Sequence, residues 1–180
     1  MTSKLKTDIL ETVSGSGTIA LTNQLSGMTS ASVPSGSVLQ VVSATSGTYT
    51  VTTSTSFVTT PLTASITPTS TSSKILVTVS AAIYAQSGGT YAARYTIFRG
   101  TVSGVNLGNT SNDGGTGFAN IYNGSGNSLA IPMGISILDS PNTTSSQTYT
   151  VGMRSQGNST GAGIMTENTT ATITLMEIKG

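Results

Sequence analysis

Three residue types with the most reactive side chains are scarce or missing here. The sequence has no cysteine, no histidine and no tryptophan. Without cysteine there is no disulfide, no thiolate metal site and no cysteine nucleophile. Without histidine the usual general base near neutral pH and the commonest metal ligand are gone. A Ser-His-Asp arrangement is therefore impossible.

Charge is the second shortage. Seven basic and six acidic residues stand among 180, a net charge of +1. The basic residues are scattered, so no footprint for nucleic acid forms. Long apolar runs are missing too, and no window approaches the roughly 18 apolar residues of a membrane helix. The N-terminus begins with Lys4 and Lys6, but Asp8 and Glu11 interrupt any apolar stretch that a signal peptide would need. This predicts manufacture in the cytosol, without membrane insertion.

Hydroxyls fill the gap. Ser and Thr make up about a third of the chain. Thr is β-branched and suits a pleated strand, whereas Ser and Gly suit turns. A near-neutral chain also repels copies of itself weakly, which permits close homo-oligomers.

The pattern divides the chain in two. Residues 1–35 hold Lys4, Lys6, Asp8 and Glu11, with a Ser14-Gly15-Ser16-Gly17 joint. Leu5, Ile9, Leu10, Val13, Ile19, Leu21 and Leu25 are too apolar for a solvated tail. They predict an arm that docks by hydrophobic burial. Residues 36–180 read as strands separated by Ser/Thr/Gly turns. The predicted runs are 38–42, 49–58, 62–66, 74–84, 91–99, 118–122, 129–138, 149–153 and 171–178. In the clearest run Ile75, Val77, Val79, Ala81 and Ile83 share one face, while Leu76, Ala82 and Tyr84 mix with hydroxyls on the other. Eight or nine short strands without a helix predict an all-β, antiparallel β-sandwich of jelly-roll type.

Few residues in this domain offer chemistry. Asp113, Asp139, Glu167 and Glu177 are the carboxylates that a glycosidase-like enzyme would have to pair. Their spacing matches no motif, and Asp113-Gly114 and Asp139-Ser140-Pro141 read as turns. Asn106 to Gly115 offers amide oxygens and one carboxylate, too few acids for a calcium loop. The expectation is a protein that is not an enzyme and carries no cofactor or metal. Five Asn-x-Ser/Thr sequons, at Asn109, Asn123, Asn142, Asn158 and Asn168, follow from the Ser/Thr content alone. Tyr84, Tyr95, Phe98, Tyr122 and Tyr149 are candidate subunit-interface residues, because aromatics are enriched there.

Several segments carry a resemblance. Ser3-Lys4-Leu5-Lys6-Thr7-Asp8-Ile9-Leu10-Glu11, followed by Ser14 to Leu25, resembles a leader on virion proteins of aquatic bacteriophages. Ser65-Ile66-Thr67-Pro68 with Ser73-Lys74-Ile75-Leu76-Val77, then Ile137-Leu138-Asp139-Ser140-Pro141, and Ile173 to Ile178 are similar to the same group. Residues 86–128 fall outside the likeness. The resemblance implies an N-terminal virion-attachment segment and a jelly-roll head of TNF/C1q-like type. Such heads commonly form homotrimers in tail fibres, tail tips and capsid head fibres or decorations. It brings no catalytic residues. Partners would be other virion proteins, met through residues 1–35. The alternative is a carbohydrate-binding adhesin that meets a host surface glycan through loops such as Gly100 to Gly117 and Gly152 to Gly163.

Overall fold

The computed structural model describes residues 33–85, 91–108, 117–123, 128–156, 161–165 and 169–180. All of these but Val33 belong to one compact unit, Pro34–Gly180. The docking-arm residues Leu5, Ile9, Leu10, Val13, Ile19, Leu21 and Leu25 lie outside the described residues.

All regular structure among the described residues is β. The strands are β1 Val38–Ser46, β2 Thr50–Thr52, β3 Val58–Ile66, β4 Lys74–Ala85, β5 Tyr91–Arg99 and β6 Val105–Asn106. They continue with β7 Ala119–Asn123, β8 Leu129–Asp139, β9 Gln147–Ser155, β10 Ala162–Ile164 and β11 Ala171–Ile178. Every pairing is antiparallel.

Two sheets result. In the first, β4 pairs with β8 along one side, and with β11 and then β10 along the other. β1 lies outside β11, and β2 outside β10. In the second, β3 pairs with β9, β9 with β5, and β5 with both β6 and β7. We call these the β4 sheet and the β9 sheet.

The short strands share positions. β1 with β2, β10 with β11, and β6 with β7 each occupy one place in a sheet. Counted that way there are eight strand positions among the described residues, four per sheet. The first then pairs with the last, the second with the seventh, the third with the sixth and the fourth with the fifth. That nested pairing is a hairpin of eight strands rolled into a sandwich, the jelly roll. The expected fold is therefore the observed one.

The core follows from alternation. Side chains on a strand point to opposite faces in turn. Ile75, Val77, Val79 and Ile83 of β4, with Ile173 and Leu175 of β11, face inward. Leu62, Ile66, Tyr95, Ile97, Tyr149, Val151 and Met153 meet them from the β9 sheet. Burying one such side chain is worth about 1.5–3 kcal/mol. Tyr95 also bridges the sheets through its hydroxyl. It donates toward the Tyr84 and Gly163 carbonyls, at 2.8 and 2.6 Å, and accepts from the Tyr84 amide at 3.3 Å.

The run 49–58 is not the single strand its composition predicts. It breaks after Thr52, because local hydroxyls claim the backbone. The Ser54 amide donates to Thr52 Oγ1 at 3.1 Å, and the Ser56 amide donates to Ser54 Oγ at 3.1 Å. Such side-chain bonds compete with a sheet ladder. Thr53–Phe57 then folds over the outside of the β9 sheet, where Phe57 meets Phe98 edge-on at 5.4 Å.

Candidate functional site

The most distinctive surface is the outward face of the β4 sheet. Its composition follows from register. Val41 lies opposite Met176, Met176 opposite Leu76, and Leu76 opposite Leu138. The four therefore form one apolar row across β1, β11, β4 and β8. Val38 and Ile178 pair beside it. Val41 is 55% exposed, Val38 52% and Leu138 49%. A bulge between Val38 and Gln40 brings Val38 and Val41 to the same face.

The next rows are hydroxyls. Ser43, Thr174, Thr78 and Ser136 stand in register, followed by Thr45, Thr172, Ser80 and Gly134. At the far end Val51, Gly163, Tyr84 and Ala130 form a third kind of row. Lys74, at one corner, is the only charged residue in this register among the described residues.

The inward end of the sandwich holds two buried carboxylates. Asp139 and Glu177 flank Ile75 in register. Asp139 accepts from Arg99 Nη1 at 3.0 Å and from the Tyr149 hydroxyl at 2.8 Å. Burial, then the bond to Asp139, push the Tyr149 hydroxyl well above the ordinary phenol range. Glu177 is fully buried. Its Oε1 accepts from the Thr69 amide and hydroxyl, both at 2.7 Å, and its Oε2 from the Gln40 amide at 2.6 Å. Burial pushes this carboxyl up, but the nearby polar Ser73 and the bonds from Gln40 and Thr69 outweigh it and hold the group below its ordinary value. These bonds tie strand ends and the turn before β4 together.

The predicted site residues separate. Tyr95 and Tyr149 are fully buried in the core, and Phe98 is buried under Phe57 on the outside of the β9 sheet. All three are taken up inside the protomer, which removes them from the predicted subunit interface. They sit on strands whose two faces are both covered, so aromatic character alone misplaced them. Tyr84 is half-buried on the outward face of the β4 sheet, and Tyr122 is 67% exposed on β7. The structure does not bring these two together. Asp113 and Glu167 lie outside the described residues. Asn106, at the start of the weighed calcium loop, accepts from Thr96 Oγ1 at 2.6 Å and from the Gly108 amide at 3.0 Å. Residues 109–116 of that loop, and 157–160 of the second candidate glycan loop, are outside the description.

Sequence reasoning missed Val38, Val41, Leu138, Met176 and Ile178 as surface residues. The signal was present in Leu76, which stands on the mixed face of β4. Only the register with its neighbours turns that single residue into a row. Among the described residues no group of three or more metal-ligating side chains occurs, and no helix is long and apolar enough to cross a membrane.

No protein-family model matches the chain, and no curated protein does. Solved structures similar to it include the VP2 subviral particle of infectious bursal disease virus, at 12% identity and a TM-score of 0.35. That match covers 78% of this chain and 37% of the viral one. The structure of infectious bursal disease virus strain Gx is similar at 13% identity and a TM-score of 0.36, over 81% and 39% of the two chains. The chain spans less than two fifths of either protein. Likeness at this level adds nothing to the strand pairing, which defines the jelly roll by itself.

Proposed function

We propose that this chain is a structural protein of a bacteriophage virion, a surface appendage of the tail-fibre, tail-tip or capsid-decoration kind. In this reading residues 1–35 dock it to other virion proteins, the β-sandwich self-assembles as a homotrimer, and no catalysis is involved. The observation that carries it is the outward face of the β4 sheet. An apolar row that crosses four strands, with one charge at its corner, suits contact with another copy of itself. Identical faces with so little charge repel only weakly. The hydroxyl rows beside it both donate and accept, so they complement themselves. Covering the exposed half of Val38, Val41 or Leu138 stabilises such a contact by about 1 kcal/mol each. The jelly roll and the resemblance of the leader to phage virion proteins support the same reading.

The test is sizing of the purified chain by light scattering. A mass of three chains is expected, falling to one in Leu138→Lys and Met176→Lys, which place charge in the apolar row. A wild-type monomer at every concentration overturns the self-assembly. Mass spectrometry of purified particles tests the virion assignment separately. Deletion of residues 1–35 is expected to abolish incorporation while leaving the head folded.

A further inference from the structure

The far end of the same face carries a different feature. β4 changes partner there. Ser80 pairs with Thr172 of β11, and Ile83 with Ile164 of β10. Between them the Met165 amide donates to the Ala82 carbonyl at 2.8 Å. This break leaves a notch of about 430 Å³, lined by Ser80, Ala82, Ala130, Pro132, Thr169 and Thr170 among others. The notch is a shallow, open depression rather than an enclosed cavity.

Tyr84 stands beside the notch. It follows Ala82 on the same face and pairs with Ala130, which lines the notch. Its ring lies close over Gly163, where a Cβ would come within 3.1 Å of Tyr84 Cδ1 and of Val51 Cγ2. A glycine at that position is what lets the ring lie down on the sheet. Tyr49 stands against it, with ring centroids 6.3 Å apart at 70°, and is 50% exposed. The Tyr84 hydroxyl donates to Ser128 Oγ at 2.8 Å.

We infer that this notch, with the Tyr84–Tyr49 corner beside it, binds a neutral saccharide. Each part of a sugar ring has a counterpart. The negative face of an aromatic ring attracts the C–H face of a sugar. Ala82, Ala130 and Pro132 give a low apolar floor. The hydroxyls of Ser80, Thr169 and Thr170 both donate and accept, as sugar hydroxyls do. None of the lining residues is charged, which favours a neutral sugar over a uronate, sulfate or phosphate. The site is not on the loops predicted from sequence. Eight residues separate Tyr84 from Leu76 on β4, roughly 26 Å at strand rise. Copies that meet along the apolar row would leave the notch open. The inference does not depend on the virion reading and survives its failure.

The experiment is titration of the full chain with maltohexaose, cellohexaose, mannohexaose and N-acetylchitohexaose, followed by calorimetry. Tyrosine fluorescence is a second readout, unobscured because the sequence has no tryptophan. At least one of the four is expected to bind in the millimolar range or tighter. Tyr84→Ala should weaken it by about tenfold, equivalent to about 1.4 kcal/mol. Ala130→Leu, an exposed position that fills the notch without touching the core, should weaken it similarly. Leu138→Ala, at the opposite end, should leave it unchanged. Absence of binding by all four sugars overturns the inference. So does a bound sugar whose affinity either Tyr84→Ala or Ala130→Leu leaves within twofold, with melting curves showing both variants folded.

Discussion

The two sheets treat their outward faces in opposite ways. On the β9 sheet, Arg94, Thr96, Phe98 and Thr150 all point away from the core, yet all are buried. Other segments cover them. Phe57 packs on Phe98 while Arg154 lies 5.4 Å over the Phe57 ring, and Asn106 caps Thr96. Arg94 donates through Nε and Nη2 to Gln156 Oε1. On the β4 sheet, Val38, Val41 and Leu138 also point away from the core and remain about half exposed. One sheet is finished by its own loops. The other leaves its apolar row about half exposed. A covered outward face belongs to the protomer's stability, and an uncovered one to its contacts.

The largest test of this contrast is a pair of truncations. Phe98→Ala removes a ring buried on both sides and should cost about 3–5 kcal/mol in chemical denaturation. Leu138→Ala removes a larger exposed apolar surface from the other sheet. At a dilution where light scattering reads a monomer, it should cost no more than about 0.5 kcal/mol. At high concentration the same change should lower the apparent melting temperature, because loss of a contact between copies enters through mass action. Equal costs for the two variants in dilute solution would erase the distinction between the faces.

Much of this was legible in the sequence, and for a definite reason. The alternation of Ile75, Val77, Val79, Ala81 and Ile83 predicts both strand and core, and the structure buries all five. The sandwich follows from many such runs. What the sequence hides is covering. Phe98 stands opposite Ile97 on β5 just as Tyr84 stands opposite Ile83 on β4, yet only Phe98 is fully covered, so period alone does not say which outward face a loop will bury. The break of 49–58 is hidden similarly: a Thr/Ser run satisfies a strand pattern while its hydroxyls bind the local backbone instead. The outward rows are the other case. They exist only across strands distant in sequence, as with Val41 and Met176, and appear once register is known.

The second test concerns the buried carboxylates, which extend the contrast to charge. Asp139 has a cation, Arg99, from the β9 sheet. Glu177 is held by neutral donors, Gln40 and Thr69. Its folded value is depressed, so the folded state binds fewer protons than the unfolded one in the acid range. The stabilisation is thus present above the unfolded value of about 4.3 and is lost as pH falls through the lower folded value. Glu177→Gln should cost about 1.5–3 kcal/mol at neutral pH, since hydrogen bonds to a charged group are lost. The gap between wild type and variant should narrow as pH drops below about 4.3. Melting curves that run parallel from pH 7 to pH 3 would remove Glu177 from the acid sensitivity.

The smallest test uses two glycines at matching places. Gly152 sits on β9 beneath Phe98, and Gly134 on the outward face of β8. A Cβ at Gly152 would come 2.6 Å from Phe98 Cε2 and 3.3 Å from Val102 Cγ1. Gly152→Ala must therefore lift the ring that the β9 sheet keeps covered, at a cost of about 1–3 kcal/mol. A Cβ at Gly134 meets nothing within 4 Å. Gly134→Ala should stabilise the monomer by about 0.4–1 kcal/mol, because alanine restricts the unfolded chain and the strand backbone accepts it. The same methyl group is informative about assembly. Gly134 stands in register with Ser80, Thr172 and Thr45, beside the hydroxyl row nearer the apolar one. If copies pack closely over that row, Gly134→Ala should gain in dilute solution and lose in the trimer. A gain at every concentration would confine the contact between copies to the apolar row.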